Sequence, residues 1–199
     1  MKTNLFINYS TYKLILFFHQ HSDEAKKVSS REGMARSVST STLLKERVNV
    51  VKGRVGKLME AIEAKDFPKF ATIAMQESNQ LHAICLDTWP PLMYLNATSF
   101  EIMKFVHKIN ELAKEVKVGY TFDAGSNGFL LVQEKDLSMV MSCLDSCFII
   151  RSDEKKTEPE FLKDLIDDFP NKMKVDHVVI ANIASDPKVT ASKQSSEKQ

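Results

Sequence analysis

The sequence lacks any apolar run long enough to cross a membrane as a helix, and it lacks a dominant charge. Its 27 Lys and Arg face 26 Asp and Glu over 199 residues. The first absence excludes a transmembrane α-helix. The second leaves no global field for nucleic acid or for an anionic membrane surface. Cysteine is scarce and odd in number: Cys85, Cys143 and Cys147. Cys143 and Cys147 lie four apart in an apolar helical pattern, which favours reduced core thiols over a disulfide or a metal site and suits a reducing, cytosolic setting. Met1 to Phe18 resembles a targeting segment only superficially. Asn4, Asn8, Tyr9, Ser10 and Lys13 break its apolar runs short of a signal core, and no small-residue cleavage site follows. Internal repeats are also absent.

What is present begins with Tyr120-Thr121-Phe122-Asp123-Ala124-Gly125-Ser126-Asn127-Gly128. Val118, Tyr120 and Phe122 alternate to one face of a strand, which runs into an acid and a loop with two glycines. An ionised carboxylate at a strand end, beside backbone that a ligand can approach closely, suits a polar active site. The same letters also describe an Asp-Gly turn in a hairpin from Phe122 to Phe129. Local pattern leaves both readings open.

The length suits one large domain, or one and a half small ones, with a real core. Leu14 to Phe18 reads as a buried strand. Leu44, Val48, Val51, Val55, Leu58 and Ile62 form the apolar face of a long helix. A second helix starts near Asp66 as N-cap with Pro68 in its first turn, and its stripe runs Phe67, Phe70, Ala74, Ser78, Leu81, Cys85. Ser78 interrupts that stripe, with Asn79 and His82 on the neighbouring face, and polar groups beside a buried stripe need partners. Thr98 and Glu101 are expected to form a capping box for a third helix that turns Ile102, Val106, Ile109, Ala113 and Val116 inward. After the hairpin come a helix at Leu137 to Phe148, a charged loop from Arg151 to Pro159, a short helix near Glu160 to Asp168, and a strand from Val175 to Ile183. The Ser-, Lys- and Gln-rich residues from Ser185 onward are expected to be disordered. This order predicts an α+β fold, a mostly antiparallel four-stranded sheet with helices packed on one face.

Four blocks then become specific in combination. Ser29-Ser30-Arg31-Glu32-Gly33-Met34, with Arg36-Ser37-Val38 and Thr40-Ser41, reads as a polar turn before the long helix. Its hydroxyls, guanidinium groups and backbone donors suit phosphate oxygens, and equally suit an ordinary capped turn. Ser78-Asn79-Gln80-Leu81-His82 follows, then Leu86-Asp87-Thr88-Trp89-Pro90-Pro91 with Tyr94-Leu95-Asn96, then the Asp123 loop. In this order and spacing, from Lys13 to Ile183, they resemble the mevalonate diphosphate decarboxylase family of the GHMP kinase superfamily.

The resemblance implies a homodimeric, cytosolic enzyme that uses ATP and Mg2+ to convert mevalonate 5-diphosphate into isopentenyl diphosphate, with ADP, phosphate and CO2, for isoprenoid and sterol synthesis. It implies no nucleic-acid or membrane partner. It maps the family's catalytic aspartate onto Asp123, which would orient the tertiary hydroxyl and accept its proton as that hydroxyl attacks the γ-phosphoryl group. It places Ser30 and Arg31 at the substrate diphosphate. Ser78, Asn79 and His82 match a family helix segment and are expected to buttress the site by hydrogen bonds. Asp87, Trp89, Pro90 and Pro91 are expected to fix the chain's exit from that helix. Asp123, Gly125 and Asn127 are retained, whereas family members usually carry Pro at the position of Ser126 and Ala at that of Gly128.

A further absence appears only against the family. Its Ser/Gly-rich phosphate loop has no counterpart among the six glycines, Gly33, Gly53, Gly56, Gly119, Gly125 and Gly128. The resemblance therefore implies an unrelated segment at residues 1–12, a C-terminal, substrate-side domain at 13–184 and a tail at 185–199. Two functions follow: a decarboxylase seen without its ATP-binding half, or a non-catalytic remnant that keeps the fold as a binding or dimerisation module.

Overall fold

The computed structural model describes residues 12–18, 28–125, 127–149, 157–175 and 177–182. The expectations for residues 1–11, Ser126, most of the 151–159 loop and the tail from Ser185 lie outside these residues.

β1 (Tyr12–Phe18) pairs antiparallel with β3 (Gly128–Gln133) on one side and β6 (His177–Asn182) on the other. β2 (Val118–Phe122) closes on β3 as a hairpin, with Phe122 opposite Gly128. The strand order is β2-β3-β1-β6, a small antiparallel sheet. The helices are α1 (Ser30–Thr40), α2 (Thr42–Glu63), α3 (Phe67–Asp87), α4 (Ala97–Leu112), α5 (Glu134–Cys147) and α6 (Leu162–Asp167). A two-residue parallel pair, β4 (Phe148–Ile149) with β5 (Met173–Lys174), stands apart from the sheet and was not foreseen.

The α+β class is borne out, but the helices do not gather on one face. Val118, Tyr120, Phe122, Leu130 and Val132 turn into a core shared with Ile102, Phe105, Val106 and Ile109 of α4 and Val140, Met141 and Leu144 of α5. Their strand neighbours Gly119 and Leu131 point the other way, where Phe67 and Ala71 of α3 cover them. A side chain on Gly119 would come within 2.9 Å of the Ala71 Cβ, so glycine sets how closely α3 approaches the sheet.

Three local expectations change. The Ser30–Thr40 stretch is a helix, not a turn: Ser29 caps it by accepting the Glu32 amide at 3.2 Å, and Glu32 pairs with Arg36 one turn on at 2.8 Å. The capping box of α4 is Asn96 with Ser99, two residues earlier than the Thr98–Glu101 pair. The stripe of α2 is only partly inward: Leu44, Val51, Leu58 and Ile62 are half-buried, whereas Val48 is 69% and Val55 49% exposed. The inward face of α2 carries Arg47 and Arg54, both bound to Glu77 of α3. α3 starts as expected, with Asp66 accepting the Lys69 amide at 3.0 Å. Cys85, Cys143 and Cys147 are free and buried, and burial pushes the Cys143 thiol up to about 12 and Cys147 up to about 11.

Candidate active site

β2 is an edge strand, and its outward backbone groups would be unpaired without help. Side chains from two helices supply it. Asn110 of α4 accepts the Val118 amide at 3.1 Å and donates to the Val118 carbonyl at 2.8 Å. Ser78 accepts the Phe122 amide at 3.0 Å, and the His82 Nε2 lies 3.4 Å from the Phe122 carbonyl. The i, i+4 spacing of Ser78 and His82 puts both on one face of α3, so they clamp the residue just before Asp123 from both sides. Asn79 accepts from the Tyr120 hydroxyl at 2.9 Å, and His107 approaches the same oxygen at 3.3 Å.

Burial governs the electrostatics of these groups. It holds the His82 imidazole below its ordinary value, against the upward pull of the Phe122 carbonyl and the Asp123 carboxylate. It also raises the Tyr120 hydroxyl, partly offset by the bond to Asn79. Asp123 itself is exposed where the hairpin opens, and the Gly125 amide closes a turn on the Asp123 carbonyl at 2.8 Å.

The opposite wall is α1, stapled to the end of α3. The buried hydroxyls of Ser37 and Thr88 share a hydrogen bond of 2.7 Å. Asp87 accepts the Ser41 hydroxyl at 2.7 Å and the Leu43 amide at 3.0 Å, so the carboxylate leaving α3 also caps α2. The Trp89 amide donates to Thr40 at 2.9 Å. A Cβ on Gly33 would crowd the Tyr94 hydroxyl, and that hydroxyl is buried without a hydrogen-bond partner among the described residues.

Between these walls lies a cleft of about 400 Å³. Ser30, Gly33 and Met34 of α1, Leu44 and Arg47 of α2, Leu81 and Ile84 of α3, and Asp123 with Ala124 line it. The cleft therefore brings together Ser30 and Asp123, which are 93 positions apart in the sequence. Arg31 is exposed and is not on the lining, whereas Arg47 is. Ser78, Asn79 and His82 stand behind the hairpin, and Gly125 and Asn127 adjoin Asp123 without lining the cleft. Arg47 and Tyr94 escaped the sequence analysis: Arg47 carries no motif, and Tyr94 appears only inside a block read for resemblance.

The arrangement offers one carboxylate, one guanidinium group and hydroxyls in a largely apolar cleft, which suits an anionic ligand that also carries a hydroxyl. Among the described residues no group of three His, Cys, Asp or Glu side chains could hold a metal ion. Nor is there a glycine-rich turn among them to cradle nucleotide phosphates, so these residues do not fit either group. No helix among them is long and apolar enough to cross a membrane.

Comparison with known proteins agrees with this geometry. The diphosphomevalonate decarboxylase of Danio rerio is 51% identical over 110 residues, which are 55% of this chain and 28% of that protein. A solved mevalonate diphosphate decarboxylase from Trypanosoma brucei superposes with a TM-score of 0.80 at 29% identity, over 87% of this chain and 49% of that one. A structure described as MDDEF in complex with MVAPP, AMPPCP and magnesium is 30% identical with a TM-score of 0.61, over 67% of this chain and 39% of that one. The chain thus spans about half the length of the trypanosome relative it matches. The family model for the mevalonate 5-diphosphate decarboxylase C-terminal domain matches residues 15–194, and with the hairpin and the cleft inside that span, the chain belongs to this family.

Proposed function

We propose that the cleft is the substrate side of a diphosphomevalonate decarboxylase, which converts mevalonate 5-diphosphate and ATP into isopentenyl diphosphate, ADP, phosphate and CO2. The observation that carries this reading is the meeting of Ser30 and Asp123 on one cleft. Asp123 hydrogen-bonds the tertiary hydroxyl of the substrate and takes its proton. Ser30 and the first turn of α1 face the diphosphate, with Arg31 at the exposed rim. Ser78 and His82 hold Phe122, and through it the start of the Asp123 loop. Gly125 and Asn127 shape that loop. ATP and Mg2+ are the cofactors of the full reaction, as the complex with AMPPCP and magnesium supports for a relative. Neither finds its holding residues among those described, so no step here runs through them. A cytosolic homodimer completes the proposal.

The experiment is turnover by the chain combined with an ATP-binding half from a relative. Asp123→Asn should abolish release of CO2 while the fold persists, and near-normal turnover would remove Asp123 from the chemistry.

A second reading is a non-catalytic module that keeps the fold. ADP release by these residues alone, dependent on mevalonate 5-diphosphate, would overturn it.

A further inference from the structure

α2 packs against α3 along one flank, where Arg47 and Arg54 hold Glu77. Beside that flank runs a second apolar line that lies open to solvent: Val48 is 69%, Val55 49% and Met59 51% exposed. Val48, Lys52, Val55 and Met59 recur at intervals of four, three and four, which keeps them on one stripe of the helix and is the seam pattern of paired helices. A single exposed apolar side chain is ordinary, but an aligned row along one helix marks a surface that another element covers.

Two further features narrow the occupant. Gly56 follows Lys52 by one turn and borders the stripe. A Cβ there would meet nothing within 4 Å, so nothing among the described residues calls for glycine at this place. Glycine inside a helix costs stability, and a second helix passing close accounts for it. The ends of the stripe are also of opposite sign. Lys45 precedes Val48 by three residues and Glu63 follows Met59 by four. Both are exposed, and neither makes an ion pair among the described residues. An identical helix laid antiparallel, with the two-fold axis between Gly53 and Arg54, sets Val48 opposite Met59 and Lys52 opposite Val55. Lys52 then lays its stem along Val55 and carries its ammonium group outward. At each end Lys45 comes beside Glu63 of the other copy. A parallel copy would instead face lysine with lysine and glutamate with glutamate.

We propose that a second copy of this chain covers the stripe, its α2 antiparallel to this one, with Val48, Val55 and Met59 in the seam, Gly56 admitting the close approach and Lys45 paired with Glu63 across it. This rests on the homodimer in the reading above and gives it a surface; the cleft and its ligand do not enter.

Sedimentation velocity of the 199-residue chain over a concentration series tests it, with thermal unfolding as the check that each variant folds. Wild type should dimerise reversibly. Val55→Lys and Gly56→Leu should each raise the dissociation constant by at least about tenfold, while Glu46→Lys, exposed on α2 away from the stripe, should leave it unchanged. Lys45→Glu and Glu63→Lys should each weaken the dimer by about tenfold, since the two-fold axis makes every change twice. The double variant should return to the wild-type constant, and mixing the two single variants should give a heterodimer. A dimer indifferent to Gly56→Leu, or a double variant weaker than either single one, overturns this surface while the homodimer stands. A wild-type chain that stays monomeric overturns both and leaves the cleft reading to its own turnover test. A monomeric chain that binds a relative's ATP-binding half, and loses that binding on Gly56→Leu, assigns the stripe to that half and overturns the proposal.

Discussion

The Phe122 amide donates to the Ser78 hydroxyl at 3.0 Å, so the residue before Asp123, paired with Gly128 across the hairpin, is also held from the middle of α3. Both groups are buried. Ser78→Ala leaves that amide without a partner, and the expected cost is about 1–3 kcal/mol of stability. Hydrogen exchange should show the Phe122 amide losing protection ahead of the Leu130 and Val132 amides. Uniform loss across the hairpin would contradict a local clamp.

The Tyr94 hydroxyl presents the opposite case, buried beneath Gly33 with no partner among the described residues. Burial raises its pKa, as does the nearby Cys85. Removing an unpaired buried hydroxyl relieves its desolvation, so Tyr94→Phe should stabilise the chain by about 1 kcal/mol in urea denaturation. A loss of similar size would show that the hydroxyl has a partner in solution.

A Cβ on Gly128 would come within 2.8 Å of the Phe122 ring. That ring is 2% exposed and stacks edge-on against His82 at 6.3 Å. Gly128→Ala should therefore destabilise by about 1–3 kcal/mol, as crowding a packed site does. An unchanged midpoint would mean that the ring shifts freely, and the clamp on Phe122 would then be loose.

Acid should weaken the fold through His82. Its lowered pKa means that the unfolded chain binds more protons as pH falls, so stability rises with pH across this range. The contribution is complete above the ordinary value of 6.5 and declines as the pH drops through it. Asp87, held low by the Leu43 amide and the Ser41 hydroxyl, adds a separate loss at pH values below 3.8. Urea midpoints between about pH 7.5 and about pH 5 should fall more steeply for wild type than for His82→Asn. Parallel curves would assign the titration elsewhere.

The hairpin and α3 were legible because their signals are local: period-two alternation running into a turn, and Asp66 followed by Pro68 ahead of an apolar stripe. α1 was hidden by its own hydroxyls, which suit a phosphate-binding turn as well as a helix, although Ser29 followed by Glu32 carried the cap. The exposure of Val48 and Val55 could not be read from periodicity, since α2 turns its paired arginines inward and leaves apolar residues outside. The two-residue strands β4 and β5 are too short to leave a pattern. Ser30 and Asp123 were named from the sequence, but Arg47 reaches their cleft only through the packing of α2 on α3. No local motif records that packing.

The central claim is that the cleft between α1 and the Asp123 hairpin receives mevalonate 5-diphosphate. Amide chemical-shift mapping during titration of that compound into the chain tests it most directly. The account predicts saturable shifts at Gly33, Ala124 and Gly125, with little change at β4 and β5. Shifts confined to other surfaces, or none at saturating ligand, would contradict it.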